Sequence, residues 1–227
     1  SLVVVNRPAL SAEDPDPHAQ AVRKEVEANA KAAAVMVSPD DPTGQLILGY
    51  TYRALGQTDR AAEHFAIAAE VNDVRLQASL ELAFCQQDLG KLNDARVTLE
   101  ALHRDFPDEP DVANSLGYFL AEQGKELDRA ESLVRQALRS EPQNAAYLDS
   151  LGWVHFQRGD HAAAFDVLVE AANQRPDDPI ILEHLGLTLK ALGRTDQALG
   201  VLRRSLAAGG DRGRLHPLIE DLERHVR

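Results

Sequence analysis

The 227-residue chain has one cysteine, one methionine and one tryptophan, and aromatics make up 5% of it. A lone cysteine, Cys85, excludes an internal disulfide and leaves the redox compartment open. On a helix it reads as a small hydrophobe. Positive charge is in deficit, with a net charge of −12. Phosphate neutralisation needs a basic face, so nucleic acid is excluded as a partner. No apolar run is long enough to span a bilayer. The short run Leu2–Val5 favours a strand and lacks the layout of a signal peptide. The chain starts at Ser1, a start compatible with removal of a leader, an anchor or a further domain.

Enzyme motifs are missing as well. There is no Gly-rich phosphate loop, no His-Glu-x-x-His, no cysteine pair and no nucleophile elbow. The eight histidines are scattered. Asp14, Asp16 and His18 are interrupted by prolines and lack a fourth ligand, so no metal site is read there. The expectation is a protein with no catalytic residues, no cofactor and no metal.

What is present is a repeat. Residues Ala145–Asp178 hold two helical patterns separated by Arg158-Gly159-Asp160. The first carries Leu148, Leu151, Gly152 and His155 on its core side, with His155 expected as a packed, hydrogen-bonded histidine. The second carries Ala164, Leu168 and Ala171 at helical spacing. Such a short pair cannot bury both apolar faces without neighbours of the same kind. The turn glycine recurs at Gly56, Gly90, Gly124, Gly159 and Gly193, and a small residue follows at Ala61, Ala95, Ala130, Ala164 and Ala198. Leu48, Leu82, Leu116, Leu151 and Leu185 keep step, each followed by Gly or Ala. The period is 34 residues, with one 35 from an extra residue between Gly124 and Ala130.

This order and period resemble the tetratricopeptide repeat, over Pro42–Arg212. The resemblance implies an all-α, right-handed superhelical solenoid of five helix-turn-helix repeats with capping helices. The boundaries expected are an extended arm over residues 1–15, an N-terminal capping helix over 16–38, then repeats over 42–75, 76–109, 110–144, 145–178 and 179–212, with a capping helix over 213–227. Asp16-Pro17, Asp41-Pro42 and Asp178-Pro179 are read as N-cap and first helical residue. Gly209-Gly210 stops the last repeat, and a closing helix from about Leu215 carries one apolar stripe. Both ends are thus expected to be capped, and the fragment monomeric unless it is built into a complex.

The surface carries the functional reading. The residue after each Leu-Gly pair lies roughly 160° from the core-facing set at about 100° per residue. It is expected to face outward, on the side that lines the concave groove of tetratricopeptide proteins. The occupants are Tyr50, Phe84, Tyr118, Trp153 and Leu187, with Phe156 one turn past Trp153. Five of the chain's eleven aromatics would share that strip. An exposed apolar strip marks a binding surface. The alternatives are rings packed sideways between neighbouring first helices, or the arm Ser1–Leu10 lying in the groove. Flanking outward positions include Leu46, Ile47 and Leu80, then Glu81, Asn114, Asp149, Glu183 and His184, apolar towards the N-terminus and acidic towards the C-terminus. Glu183 and His184 are expected as a solvated pair.

Tetratricopeptide domains that clamp a terminal carboxylate use Lys, Arg and Asn at these places, and here only Asn114 matches. The acidic residues would repel such an end. A protein or peptide with apolar anchors and basic residues suits the groove better. The runs SLGYFLAEQGKELDRAESLVRQAL (115–138), YLDSLGW (147–153) and EHLGLTLKALGR (183–194) are also similar to repeats of large bacterial envelope lipoproteins that tether other proteins. Arginine outnumbers lysine 19 to 5, a bias of GC-rich bacterial genomes. The reading is therefore a bacterial adaptor, of cytoplasm or envelope. Its alternatives are a permanent structural subunit and the repeat region of a longer enzyme.

Overall fold

The computed structural model describes residues 17–38 and 40–226. The expected Leu2–Val5 strand, the Asp16 cap and the Asp14, Asp16 and His18 grouping lie outside the described residues or their described side chains. Twelve α-helices, and no strand among the described residues, make up the fold. In chain order they are α1 (Pro17–Met36), α2 (Pro42–Ala54), α3 (Thr58–Ala68), α4 (Asn72–Asp88), α5 (Leu92–Asp105) and α6 (Pro110–Glu122). Then come α7 (Leu127–Ser140), α8 (Ala145–Arg158), α9 (His161–Gln174), α10 (Pro179–Ala191), α11 (Thr195–Ala207) and α12 (Arg212–Val226). They fall into two compact units, which meet in sequence at Phe106-Pro107.

Unit 1 contains α1–α5. Helices α2 and α3 pair, α4 and α5 pair, α3 and α2 each pack on α4, and α1 lies on α2. Its core joins Ala30 of α1 to Leu46, Leu48 and Tyr52 of α2, Phe65 of α3 and Cys85 of α4. Leu46, expected on an outward position, is 9% exposed because α1 covers that side of α2. Unit 2 contains α6–α12. The pairs are α6–α7, α8–α9 and α10–α11; α8 also packs on α7, α6 and α10, α9 on α10, and α12 on α11.

The helix pairs share one joint. A Cβ placed on Gly49 would meet the Phe65 ring at 2.5 Å, one on Gly152 would meet Leu168 at 2.5 Å, and one on Gly186 would meet Leu202 at 2.5 Å. Each large second-helix side chain therefore seats on the bare backbone of its first helix. The turns between paired helices need the left-handed backbone, which glycine adopts freely. Gly56, Gly90, Gly124, Gly159 and Gly193 all have φ between 59° and 84°. The extra residue after Gly124 shows its cost here. It puts Glu126 at φ 50°, the one non-glycine left-handed residue among those described.

Helix starts follow the expected chemistry. Asp41 accepts from the Gly44 N–H, Asn144 from that of Ala146, and Asp178 from those of Ile180 and Ile181. Pro42, Pro110 and Pro179 open α2, α6 and α10. The closing helix begins earlier than Leu215, at Arg212, because Asp211 accepts from the N–H groups of Gly213 and Arg214. No described helix is long and apolar enough to cross a membrane.

Candidate partner-binding face of the first helices

In unit 1 the face is built by α2 and α4. Tyr50 stands edge-on to Phe65, with ring centres 5.2 Å apart. Its phenol donates to Glu81 Oε1 at 3.1 Å and accepts from Gln77 Nε2 at 2.8 Å. Arg53 pairs with the same Glu81 and lies 5.5 Å from the Tyr50 ring centre. Burial, and then the Glu81 charge, push the Tyr50 phenol up to about 12. Burial also raises Glu81, against the pull of Arg53 and Tyr50. Glu81 is buried rather than outward, and its charge is already satisfied. Leu80 and Phe84 are half-buried, while Ile47 is 60% exposed. Burial lifts the Cys85 thiol to about 12, which leaves it an unreactive thiol at neutral pH.

In unit 2 the face is built by α6, α8 and α10. Phe156, Trp153 and His184 form a stack: Phe156 and Trp153 lie 4.7 Å apart at 5°, and Trp153 and His184 lie 4.2 Å apart at 16°. Tyr118 closes in at 6.2 Å from His184. His184 Nδ1 sits 2.9 and 3.0 Å from the two carboxylate oxygens of Asp149. Glu183 pairs with Arg214 of α12 at 3.2 Å. Burial disfavours charge on His184, but Asp149, with Glu122 and Glu183 behind it, outweighs that and raises its pKa. Burial first, and then Glu122 and Asp149, raise the Tyr118 phenol well above the usual range.

Several outward expectations fail here. Trp153 is 8% exposed, and Asp149, Glu183 and His184 are buried, so the solvated Glu183–His184 pair does not exist. A wheel drawn for one helix assumes one buried face. Helix α8 instead contacts its own second helix, the preceding second helix and the first helices on both sides. A residue 160° from one core then meets a neighbour rather than water. For Trp153 the sideways packing is the arrangement found. Tyr118, Phe156, Leu187 and Asn114 remain half-buried, and Glu122 is exposed. Asn114 Oδ1 and Trp153 Nε1 are buried without a hydrogen-bond partner. His155, expected as a hydrogen-bonded core residue, is half-buried with Nδ1 unpartnered, and burial lowers its pKa. Nothing in the repeat pattern points to Arg214, because a closing helix stands outside the periodicity that identifies the other positions.

Two sequence profiles of the tetratricopeptide repeat match the chain, one over residues 126–179 and one over 52–117 and 155–222. A curated relative, the TPR repeat-containing protein PA4667 of Pseudomonas aeruginosa, is 35% identical over 80 residues. Those residues are 35% of this chain and 13% of that protein, so this chain spans a small part of its length. Among solved structures, the thermophilic TPR protein TTC0263 of Thermus thermophilus superposes with a TM-score of 0.68 at 26% identity, covering 80% of this chain and 98% of that one. The Cut9–Hcn1 structure of the APC/C superposes with a TM-score of 0.69 at 17% identity, covering 90% of this chain and 40% of that one. At that identity the likeness is one of fold.

Proposed function

The chain belongs to the tetratricopeptide repeat family, and from that premise we propose that it is an adaptor holding a partner segment against the face of its first helices. Repeats of this fold mediate protein–protein interaction and typically serve as non-catalytic scaffolds. The observation that carries the finer reading is in unit 2. Tyr118, Phe156 and Leu187 stay half-buried on α6, α8 and α10, and the exposed Glu122 carries its charge beside the Tyr118 phenol. Half-buried rings offer apolar area at low entropic cost, and a carboxylate beside them selects cations. In unit 1 the exposed Ile47, with half-buried Leu80 and Phe84, supports a more apolar contact. The partner is a segment with apolar anchors and Lys or Arg between them.

Calorimetry on a peptide panel tests this. Peptides with apolar anchors and basic spacers are set against the same anchors with acidic spacers. Binding of the basic set alone, weakening with added salt, is the expected outcome. Equal binding of both sets, or of neither, sinks the reading. Retention of a native partner at fixed stoichiometry through purification would instead mark a structural subunit.

A further inference from the structure

The face in unit 2 converges on one titratable ring. His184 shares its Nδ1 with both oxygens of Asp149 at 2.9 and 3.0 Å, and its ring lies on Trp153 at 4.2 Å. The groups facing it come from each first helix of the unit: Tyr118 and Glu122 from α6, Asp149 from α8, Glu183 from α10 itself. Arg214 of α12 offsets Glu183. A charged imidazolium completes this arrangement, pairing with Asp149 and gaining attraction to the indole face. A neutral ring can keep its Nδ1–H on Asp149, but it gives up the cation over the indole and leaves the buried carboxylate without a counter-charge.

We propose that His184 is a pH-operated clasp, which holds the first-helix face of unit 2 closed when protonated and releases Trp153 when it loses its proton. The raised pKa of His184 sets the direction. A group whose folded pKa lies above its unfolded value of about 6.5 contributes fully below that value. Its contribution is then lost as pH rises through the higher, folded value. The clasp regulates the face assigned above to the partner and rests on that reading only for this consequence.

Trp153 is the chain's single tryptophan, so the fluorescence of the intact protein reports on the stack without a label. A protonated imidazole in stacking contact quenches an indole more than a neutral one does. Raising the pH should therefore brighten Trp153 and increase its quenching by acrylamide, both with the same midpoint. Asp149→Asn should lower that midpoint by about 1–3 pH units, the effect of removing a neighbouring opposite charge. His184→Gln should abolish the transition. The proposal is overturned if the wild-type signal is flat, or if its transition persists in His184→Gln. Brightening without any change in acrylamide access also overturns it, since the proton would then leave without opening the face. Should the buried His184→Gln or Asp149→Asn fail to fold by circular dichroism, an unshifted midpoint in Glu122→Gln, an exposed carboxylate whose charge also raises His184, overturns the proposal in its place. No partner enters these measurements, so a failed peptide panel and a failed clasp are distinguishable.

Discussion

At Gly152 a missing methyl group sets how closely two helices approach. A Cβ there would stand 2.5 Å from Cγ and 2.8 Å from Cδ2 of Leu168, which is fully buried. Gly152→Leu should therefore overpack the joint and cost about 1–3 kcal/mol or more, read as a lower urea midpoint. Trp153→Ala belongs with it. Because the ring is 8% exposed and stacked on both sides, truncation should cost about 3–5 kcal/mol of stability, whatever it does to binding. The electrostatic test of binding has to avoid Asp149, since breaking a buried charged pair costs about 3–5 kcal/mol by itself. Glu122 is exposed and serves instead. Glu122→Gln, which keeps the side chain's size and an acceptor for Tyr118, should weaken a basic peptide with only a small change in melting temperature, and the loss should shrink in high salt. Undiminished affinity would remove Glu122 from the site.

Among the helices, α7 carries a local conflict. Its entry residue Glu126 is left-handed at φ 50°, ψ 41°, where a side chain costs about 1–2 kcal/mol and glycine is comfortable. Its carboxylate pairs with Arg129 at 3.3 Å, a surface contact of small worth. Glu126→Gly should therefore stabilise the chain by about 0.5–1 kcal/mol after glycine's own entropic cost. A lower urea midpoint would show that the strain is smaller than the side chain's contribution. The 35-residue spacing points to this place in the sequence. Which residue absorbs the insertion is decided by the fixed entry of α7, which must still seat Val134 against Gly117.

For the molecule as a whole, each unit has its own buried core. Repeat arrays lose stability through nearest-neighbour interfaces, so damage is local. Hydrogen exchange on Gly152→Leu should show faster exchange in α8–α10 and their neighbours in unit 2, with protection in α2–α5 retained. Uniform loss across all twelve helices would show that the chain unfolds as one cooperative body.

The sequence by itself determined the helix pairs, their turns and their joints. These depend on contacts within about 34 residues, where a glycine, an alanine and a leucine at fixed offsets leave one way to pack. It located Gly152, Ala164 and Leu168 for the same reason, and the Asp41-Pro42 and Asp178-Pro179 starts from their local capping chemistry. It did not determine which side of a first helix meets water. That depends on side chains 30 or more residues away, which a single-helix projection omits. Trp153 and His184 are brought into contact only when α8 and α10 lie side by side, and Arg214 reaches Glu183 only after α12 has closed the array. Burial of the Asp149–His184 pair, and with it the charge state of the ring, therefore belongs to the tertiary structure, because desolvation and the field of neighbouring carboxylates exist only once the helices are packed.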